Sequence, residues 1–287
     1  LLSFRGLTLD ITPRSRPFAA TDASALTPAQ RGARPETAAT QHVRQPGVSV
    51  VLPVHNEGGC IADTLSATMQ WAKARLDYEF IFVDDGSTDG TANRLAERLS
   101  AHPEAQLRYL VSPRNIGKGA AIRLGFAHCR ARLIIVTDGD LAYSLDHLPV
   151  VTESLRHFEV VIGSRKMEAA SDVVRGGLCR TLLGEGFNRL TRFVIGLPYP
   201  DTQAGLKGCR DNAATQLFPR LRTNGYAVDV ELLYLAKRLG YSVGQVPARV
   251  SETHRQVASS MRLVRDPLRM AWDMARIRIS GWMGRYD

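Results

Sequence analysis

Cysteine is scarce in this chain of 287 residues. Cys60, Cys129, Cys179 and Cys209 are the only four, and no two form a C-x-x-C pair. That argues against the common zinc and dithiol motifs and suits unpaired thiols in a reducing compartment. Long apolar runs are lacking too: no stretch approaches the ~20 residues of a membrane-spanning helix. The opening "LL" has no positive segment before a long apolar core, so no secretory leader is expected. The nucleotidase phosphate loop, G-x-x-x-x-G-K-[ST], is missing. Aromatics make up only 7% of the residues and do not interleave with basic ones, so nucleic acid is not an expected partner. Positive charge is in excess. A formal charge of +9 predicts affinity for phosphorylated metabolites or an acidic membrane surface. The expected setting is cytoplasmic, with room for a peripheral position on the cytoplasmic membrane face.

Residues 1–46, rich in Ala, Thr, Pro and Arg, show no sustained periodicity and read as a flexible arm. From Gly47 the texture changes. "GVSVVLP", "YEFIFVDDG" and "RLIIVTDGD" are apolar, β-branched runs, with "QLRYLV" and "FEVVIGS" as weaker versions. Helix-like segments separate them over Ile61–Ala74, Gly90–Leu99, Lys118–His128 and Leu145–His157. Continuous apolar strands alternating with helices predict an α/β fold, with a Rossmann-like, mostly parallel sheet flanked by helices. Further on, a helix is expected over 173–195, then a polar loop "DTQAGLKGCRD", a helix over "DVELLYLAKRLG" and a β-like run "YSVGQVPARV".

Ligands of such sheets sit beyond the carboxyl ends of the strands. Four of those ends are polar: Pro53-Val54-His55-Asn56-Glu57, Asp84-Asp85-Gly86-Ser87, Asp138-Gly139-Asp140 and Gly163-Ser164-Arg165. Asp138 and Asp140, one residue apart, repel each other unless a cation or hydrogen-bond donors offset them. "RNIGKGAA" can present backbone amides and the Lys118 ammonium to phosphate, or can simply be a glycine-bearing helix start. Asp89 and Thr91 read as the cap and opening of a helix. Asp201 and Lys207 are expected to pair with each other and fix their loop.

The ordered set "VVLPVHNE", "FVDDGSTDGT", "NIGKGAAIRLGF", "TDGD" and "GSR" resembles the family-2 inverting glycosyltransferases of the GT-A fold. Within them, "DTQAGLKGCR", "GYAVDVELLYLAKRLG" and "SSMRLVRDPLRMAWDMARIRI" resemble the polyprenyl-phosphate sugar transferases, the group of dolichyl-phosphate glucose and mannose synthases. The resemblance spans roughly residues 47–282. It implies a nucleotide-sugar donor whose base and ribose meet Pro53, His55 (where most relatives have tyrosine), Glu57, Asp84 and Asp85, with Lys118 near the phosphates. It implies Mg2+ or Mn2+ at Asp140 and Asp138, the latter alternatively holding sugar hydroxyls or ribose. The middle residue of this D-x-D is usually alanine in relatives, and Gly139 is expected to add only backbone freedom. Arg165 would bind phosphate through its planar fork, with Arg180 and Gln203 also on the acceptor side. A polyprenyl phosphate is already ionised and needs no strong base. A hydroxyl acceptor would need one, and Asp229 or Glu231 are the candidates.

The C-terminal stretch places Asp266-Pro267 as a helix start, and across it Met261, Val264, Leu268, Trp272, Ala275, Ile279 and Trp282 recur at three- and four-residue steps. Arg262, Arg265, Arg269 and Arg276 adjoin them. A basic amphipathic helix with tryptophans suits an anionic bilayer surface; the alternative is a helix packed on its own domain. The expected organisation is an arm over 1–46, a GT-A domain over 47–252 and a basic amphipathic tail over 253–287. The expected reaction is hexose transfer, glucose from a UDP-sugar, to polyprenyl phosphate. A family-2 transferase for a soluble or glycan hydroxyl, and a non-catalytic nucleotide-sugar binder, are the alternatives.

Overall fold

The apolar runs become strands because both of their faces are covered. β1 (Val48–Val54) and β2 (Tyr78–Asp84) are buried at every residue. The computed structural model describes residues 46–102, 106–167, 186, 189, 191–250 and 265–287. The arm therefore lies outside the described residues but for Pro46, as do Arg180 and most of the helix expected over 173–195 (191–195 is helical).

β3 (Leu107–Val111), β4 (Leu133–Val136), β5 (Val160–Ser164), β6 (Lys207–Arg210) and β7 (Val243–Pro247) complete a seven-stranded sheet in the order β3-β2-β1-β4-β6-β5-β7. Strands β1 to β4 run parallel, as do β5 and β7. β6 is antiparallel to both of its neighbours. It was not expected as a strand: "KGCR" has no apolar run, and it is recruited by the ladder bonds that β4 and β5 offer on either side. The chain winds from β1 outward to β3 and returns to place β4 on the other side of β1, so strand order switches between β1 and β4. That switch is where a doubly wound sheet opens a crevice.

Alternate strand residues feed two cores. Val50, Leu52, Phe80, Phe82 and Ile135 face α1 (Ile61–Lys73), α2 (Thr91–Ser100) and α4 (His147–Ser154). Val51, Ile81, Val83, Ile134 and Val136 face α3 (Lys118–Phe126), α5 (Asp211–Leu217) and α6 (Val228–Arg238). α7 (Arg265–Trp282) joins this second core through Met274 and Ile277, and Tyr286 follows it in. The expected tail is thus part of the domain's packing.

The stripe that packs α7 differs from the expected one. Met270, Met274, Ile277 and Gly281 are buried, whereas Trp272, Ile279 and Trp282 are exposed. Gly281 is required for this approach, because a Cβ there would overlap the Tyr234 hydroxyl. Met261, Val264, Arg262 and the side chains of Arg265 and Leu268 lie outside the described set.

Gly125 lets α3 lie flush on the sheet: a Cβ there would overlap Val51 and crowd Val83. Gly125→Val is expected to destabilise the protein by at least about 1–3 kcal/mol through overpacking. A urea midpoint equal to the wild-type value would contradict that packing.

Candidate active site

At the carboxyl edge of the sheet, the β1 and β2 ends interlock. Asn56, with φ of 55°, donates its backbone amide to the Ser87 hydroxyl oxygen (2.8 Å) and accepts the Thr88 amide at its Oδ1 (2.9 Å). Asp89 accepts the Gly58 amide (2.7 Å) as well as the Thr91 amide and hydroxyl, so it ties two loops together besides opening α2. An open cleft of about 630 Å³ lies over these ends, lined by His55, Asn56, Asp84, Ser87, Arg114 and Asn115 among others. Asp84 accepts the Ser87 amide at Oδ2 (3.0 Å), and its buried Oδ1 has no hydrogen-bond partner. Asp85 is fully spoken for: its oxygens accept the Ile116 and Gly117 amides at 2.9 and 2.7 Å. Burial raises its pKa and those two amides oppose the rise. Asp85 therefore shapes the "RNIGKG" loop. Gly117, with φ of 118°, closes that loop where a Cβ would overlap the Asn224 carbonyl oxygen.

Lys118 does not reach into the cleft as a lone phosphate ligand. Its ammonium sits 2.7 Å from Asp138 Oδ1 and 3.2 Å from Asp229 Oδ2. Asp229 Oδ1 in turn lies 2.9 Å from the buried Lys207 ammonium, which also donates to the Ala204 carbonyl oxygen. Burial alone would lower the Lys118 pKa, but the two carboxylates outweigh it and hold the lysine charged. Burial likewise raises that of Asp138, and Lys118 with Lys207 and Arg165 brings it below the ordinary value.

The expected pairing of Asp201 with Lys207 is not the one found. Asp201 instead accepts Arg165 bidentately, Nε at 2.7 Å and Nη2 at 2.9 Å, plus the Arg165 amide at 3.1 Å. Against the cost of burial, this grip takes the Asp201 pKa down to about 2. The Arg165 fork is thus held by a carboxylate, which fixes where the guanidinium charge stands. Beside it, the buried Gln203 Nε2 has no hydrogen-bond partner.

Neither candidate base is disposed as one. Asp229 has an ammonium on each oxygen. Glu231 is fully buried, its oxygens accepting the Arg222 and Thr223 amides and, at 2.6 Å, the Tyr286 hydroxyl. It anchors a loop under the C-terminal residues.

The D-x-D turn is tight. Asp140 Oδ1 accepts the Ala142 amide at 3.0 Å, and Leu141 takes a φ of 52°, a region that costs a non-glycine residue about 1–2 kcal/mol. Gly139 does more than loosen the backbone: a Cβ there would overlap Val54 and crowd the Pro53 carbonyl. Glu57 lies against the same glycine, and its buried Oε2 has no hydrogen-bond partner. Burial, then repulsion from Asp140 and Asp138, pushes its pKa up to about 8. Crowded carboxylates with an orphaned oxygen fit a cation beside Asp140. Among the described residues no three His, Cys, Asp or Glu side chains form a metal cage by themselves. Mg2+ and Mn2+ accept such a site when phosphate oxygens and water complete the shell.

A nucleoside-sized cleft over the β1 and β2 ends, with a D-x-D turn following β4 across the switch point, is the layout of a nucleotide-sugar transferase, and the comparisons agree. The model of the glycosyl transferase family 2 matches residues 49–218. The chain belongs to that family. Dolichyl-phosphate β-glucosyltransferase of Saccharomyces cerevisiae is 31% identical over 258 residues, covering 83% of this chain and 76% of the yeast protein. That of Dictyostelium discoideum is 29% identical over 249 residues, 83% and 75% of the two chains. Among solved structures, glucosyl-3-phosphoglycerate synthase of Mycobacterium tuberculosis with UDP superposes with a TM-score of 0.59 at 21% identity, over 85% of this chain and 80% of the other. A Pyrobaculum calidifontis mannosyltransferase with GDP-Man and Mn2+ gives 0.53 at 20%, over 71% and 55%. The fold is GT-A, and the protein is a glycosyltransferase. The reading as a non-catalytic binder is set aside accordingly.

Sequence reasoning missed the roles of Lys207 and Asp201. The clue was their shared segment: "DTQAGLK" places a carboxylate and a lysine on either side of a glycine.

The Glu57 carboxyl carries a pH signature. Its ordinary value is 4.5, against about 8 in the folded enzyme. Between those values the folded state keeps a proton that the unfolded chain has released, so rising pH removes stability from the cation-free protein. Thermal midpoints in chelator should fall from pH 5 to 8, and Glu57→Gln should flatten that fall. An equally steep fall in the variant would contradict the assignment.

Proposed function

We propose that this glycosyltransferase moves glucose from UDP-glucose to a polyprenyl phosphate with inversion, using Mg2+ or Mn2+. The observation that carries the reading is the state of the two would-be bases. Asp229 is clamped between two ammonium groups and Glu231 is buried under a loop, so neither is set to take a proton from a hydroxyl. A phosphate monoester needs no such step, only cations that bring two anions together. Similarity to dolichyl-phosphate β-glucosyltransferases over most of the chain supports the same acceptor and sugar.

In this reading the cleft takes the nucleoside. His55 and Pro53 stand at the end of β1, and Asp84 offers its unpartnered oxygen to the base or ribose. Asp85 and Lys118 hold the surrounding loop and turn. Asp140, with Asp138 beside it and Glu57 behind, would hold the divalent cation. When bound, that ion supplies Lewis-acid neutralisation of the departing diphosphate. Arg165, aimed by Asp201, and the Gln203 amide receive the acceptor phosphate, with Arg180 as a further cation.

α7 supports a membrane-adjacent position. Arg269, Trp272, Arg276, Ile279 and Met283 share its exposed face, with Trp282 alongside and Arg278 over the Trp282 ring at 5.6 Å. Among the described residues no helix is long and apolar enough to cross a membrane. An interfacial helix rich in tryptophan and arginine suits the headgroup layer of an anionic bilayer.

UDP release from UDP-glucose with Mn2+ should depend on a short-chain polyprenyl phosphate, and Asp140→Ala should abolish it. Slow release indifferent to the lipid would redirect the search to soluble hydroxyl acceptors. Unchanged turnover in Asp140→Ala would remove the cation from that residue. Replacing Trp272 and Trp282 with alanine should weaken binding to vesicles containing anionic phospholipid while leaving the thermal midpoint near wild type. Equal pelleting of both proteins would reject the membrane face.

A further inference from the structure

The D-x-D turn is held from behind by a chain of alternating charges. Asp138 Oδ1 meets the Lys118 ammonium at 2.7 Å, Lys118 meets Asp229 at 3.2 Å, and Asp229 meets Lys207 at 2.9 Å. Lys207 is 2% exposed, so it has no route to solvent and no reach to a substrate in the cleft. A buried ammonium is retained only where carboxylates and carbonyls satisfy it, and here the Ala204 carbonyl and Asp229 do so. The other Asp138 oxygen, Oδ2, is packed against Gly205, where any Cβ would overlap the carboxylate. Both restraints come from one short segment, 204–207, at the entry to β6.

We infer that Lys207 and Asp229 are positioning residues for the D-x-D turn, acting through Lys118 on Asp138, with Gly205 as the opposing stop. Their alternation is the functional quantity. Removing Lys207 leaves two carboxylates competing for one ammonium, and Lys118 is drawn from Asp138 toward Asp229. Removing Asp229 leaves two ammonium groups facing each other beside the same carboxylate. Removing both restores a balanced Lys118–Asp138 pair. Asp229 is therefore a support whose loss can be compensated, which a base cannot be.

The inference rests on the donor reading above, and calorimetric titration with UDP, with and without Mn2+, separates the two. Wild-type protein should bind UDP more tightly with Mn2+. In Lys207→Met that tightening should shrink by about tenfold or more, with metal-free UDP affinity unchanged and kcat falling more than the donor KM rises. The double variant Lys207→Met/Asp229→Asn should return to within about threefold of wild type, as a shared charge network requires. Gly205→Ala should lose the tightening independently and should not be rescued by Asp229→Asn. Thermal melts identify any variant that fails to fold, and Gly205→Ala then stands in for Lys207→Met. A double variant no better than Lys207→Met, or full tightening retained in Lys207→Met and Gly205→Ala, would overturn the inference alone. No effect of Mn2+ on UDP binding by wild-type protein would overturn it together with the donor reading.

Discussion

Carboxylates crowded at one sheet edge are the constraint around which this molecule is arranged. Glu57, Asp84, Asp85, Asp138, Asp140, Asp201 and Asp229 all converge at or next to the carboxyl ends of the strands. Three devices offset them to different degrees. Backbone amides take up Asp85, Arg165 grips Asp201, and two lysines share Asp138 and Asp229. Glu57 gets least help, and the price of its burial next to Asp140 is a carboxyl that keeps its proton near neutral pH. Repulsion at this edge is therefore felt most by Glu57, and a divalent ion beside it would relieve that repulsion.

Strand direction explains how the lysines reach the edge. Parallel strands deliver their exit loops there, so the residues after β1, β2, β4 and β5 arrive by default. β6 runs the other way, with Lys207 opposite Val136 of β4 and Ile162 of β5. Its entry segment, not its exit, meets the site. That single reversed strand brings Asp201, Gln203, Gly205 and Lys207 to the exits of β4 and β5, and with them the partners of Arg165, Asp229 and Asp138.

Much of this was legible in the residues. The strands β1 to β5 and the convergence of their ends follow from continuous apolar runs ended by polar groups, because a doubly covered strand has no polar face to betray its position. The family could be read from motif order. What could not be read was pairing. Asp201 lies six residues before Lys207 and they look like partners, yet Lys207 opens β6 and its ammonium meets Asp229, 22 positions later in the sequence. Gly139 looked interchangeable with alanine because the contact it avoids comes from Val54, on another strand. β6 itself was invisible, since a four-residue strand held on both sides needs no apolar pattern of its own.

α7 shows why periodicity alone leaves a helix's partner undecided. Residues at three- and four-residue steps define one arc, and α7 carries two that are apolar enough to matter. The arc through Met270, Met274 and Ile277 closes the core, and the arc through Trp272, Ile279 and Trp282 is left outside. A helix built in this way is no detachable tether. Tyr286, just past its end, donates to Glu231, and Glu231 holds the Arg222 and Thr223 amides. The next residue, Asn224, accepts the Gly119 amide at 2.8 Å, one residue from Lys118. The end of α7 and the loop that carries Lys118 are thus joined through one buried carboxylate, by hydrogen bonds and packed backbone and not by a linker.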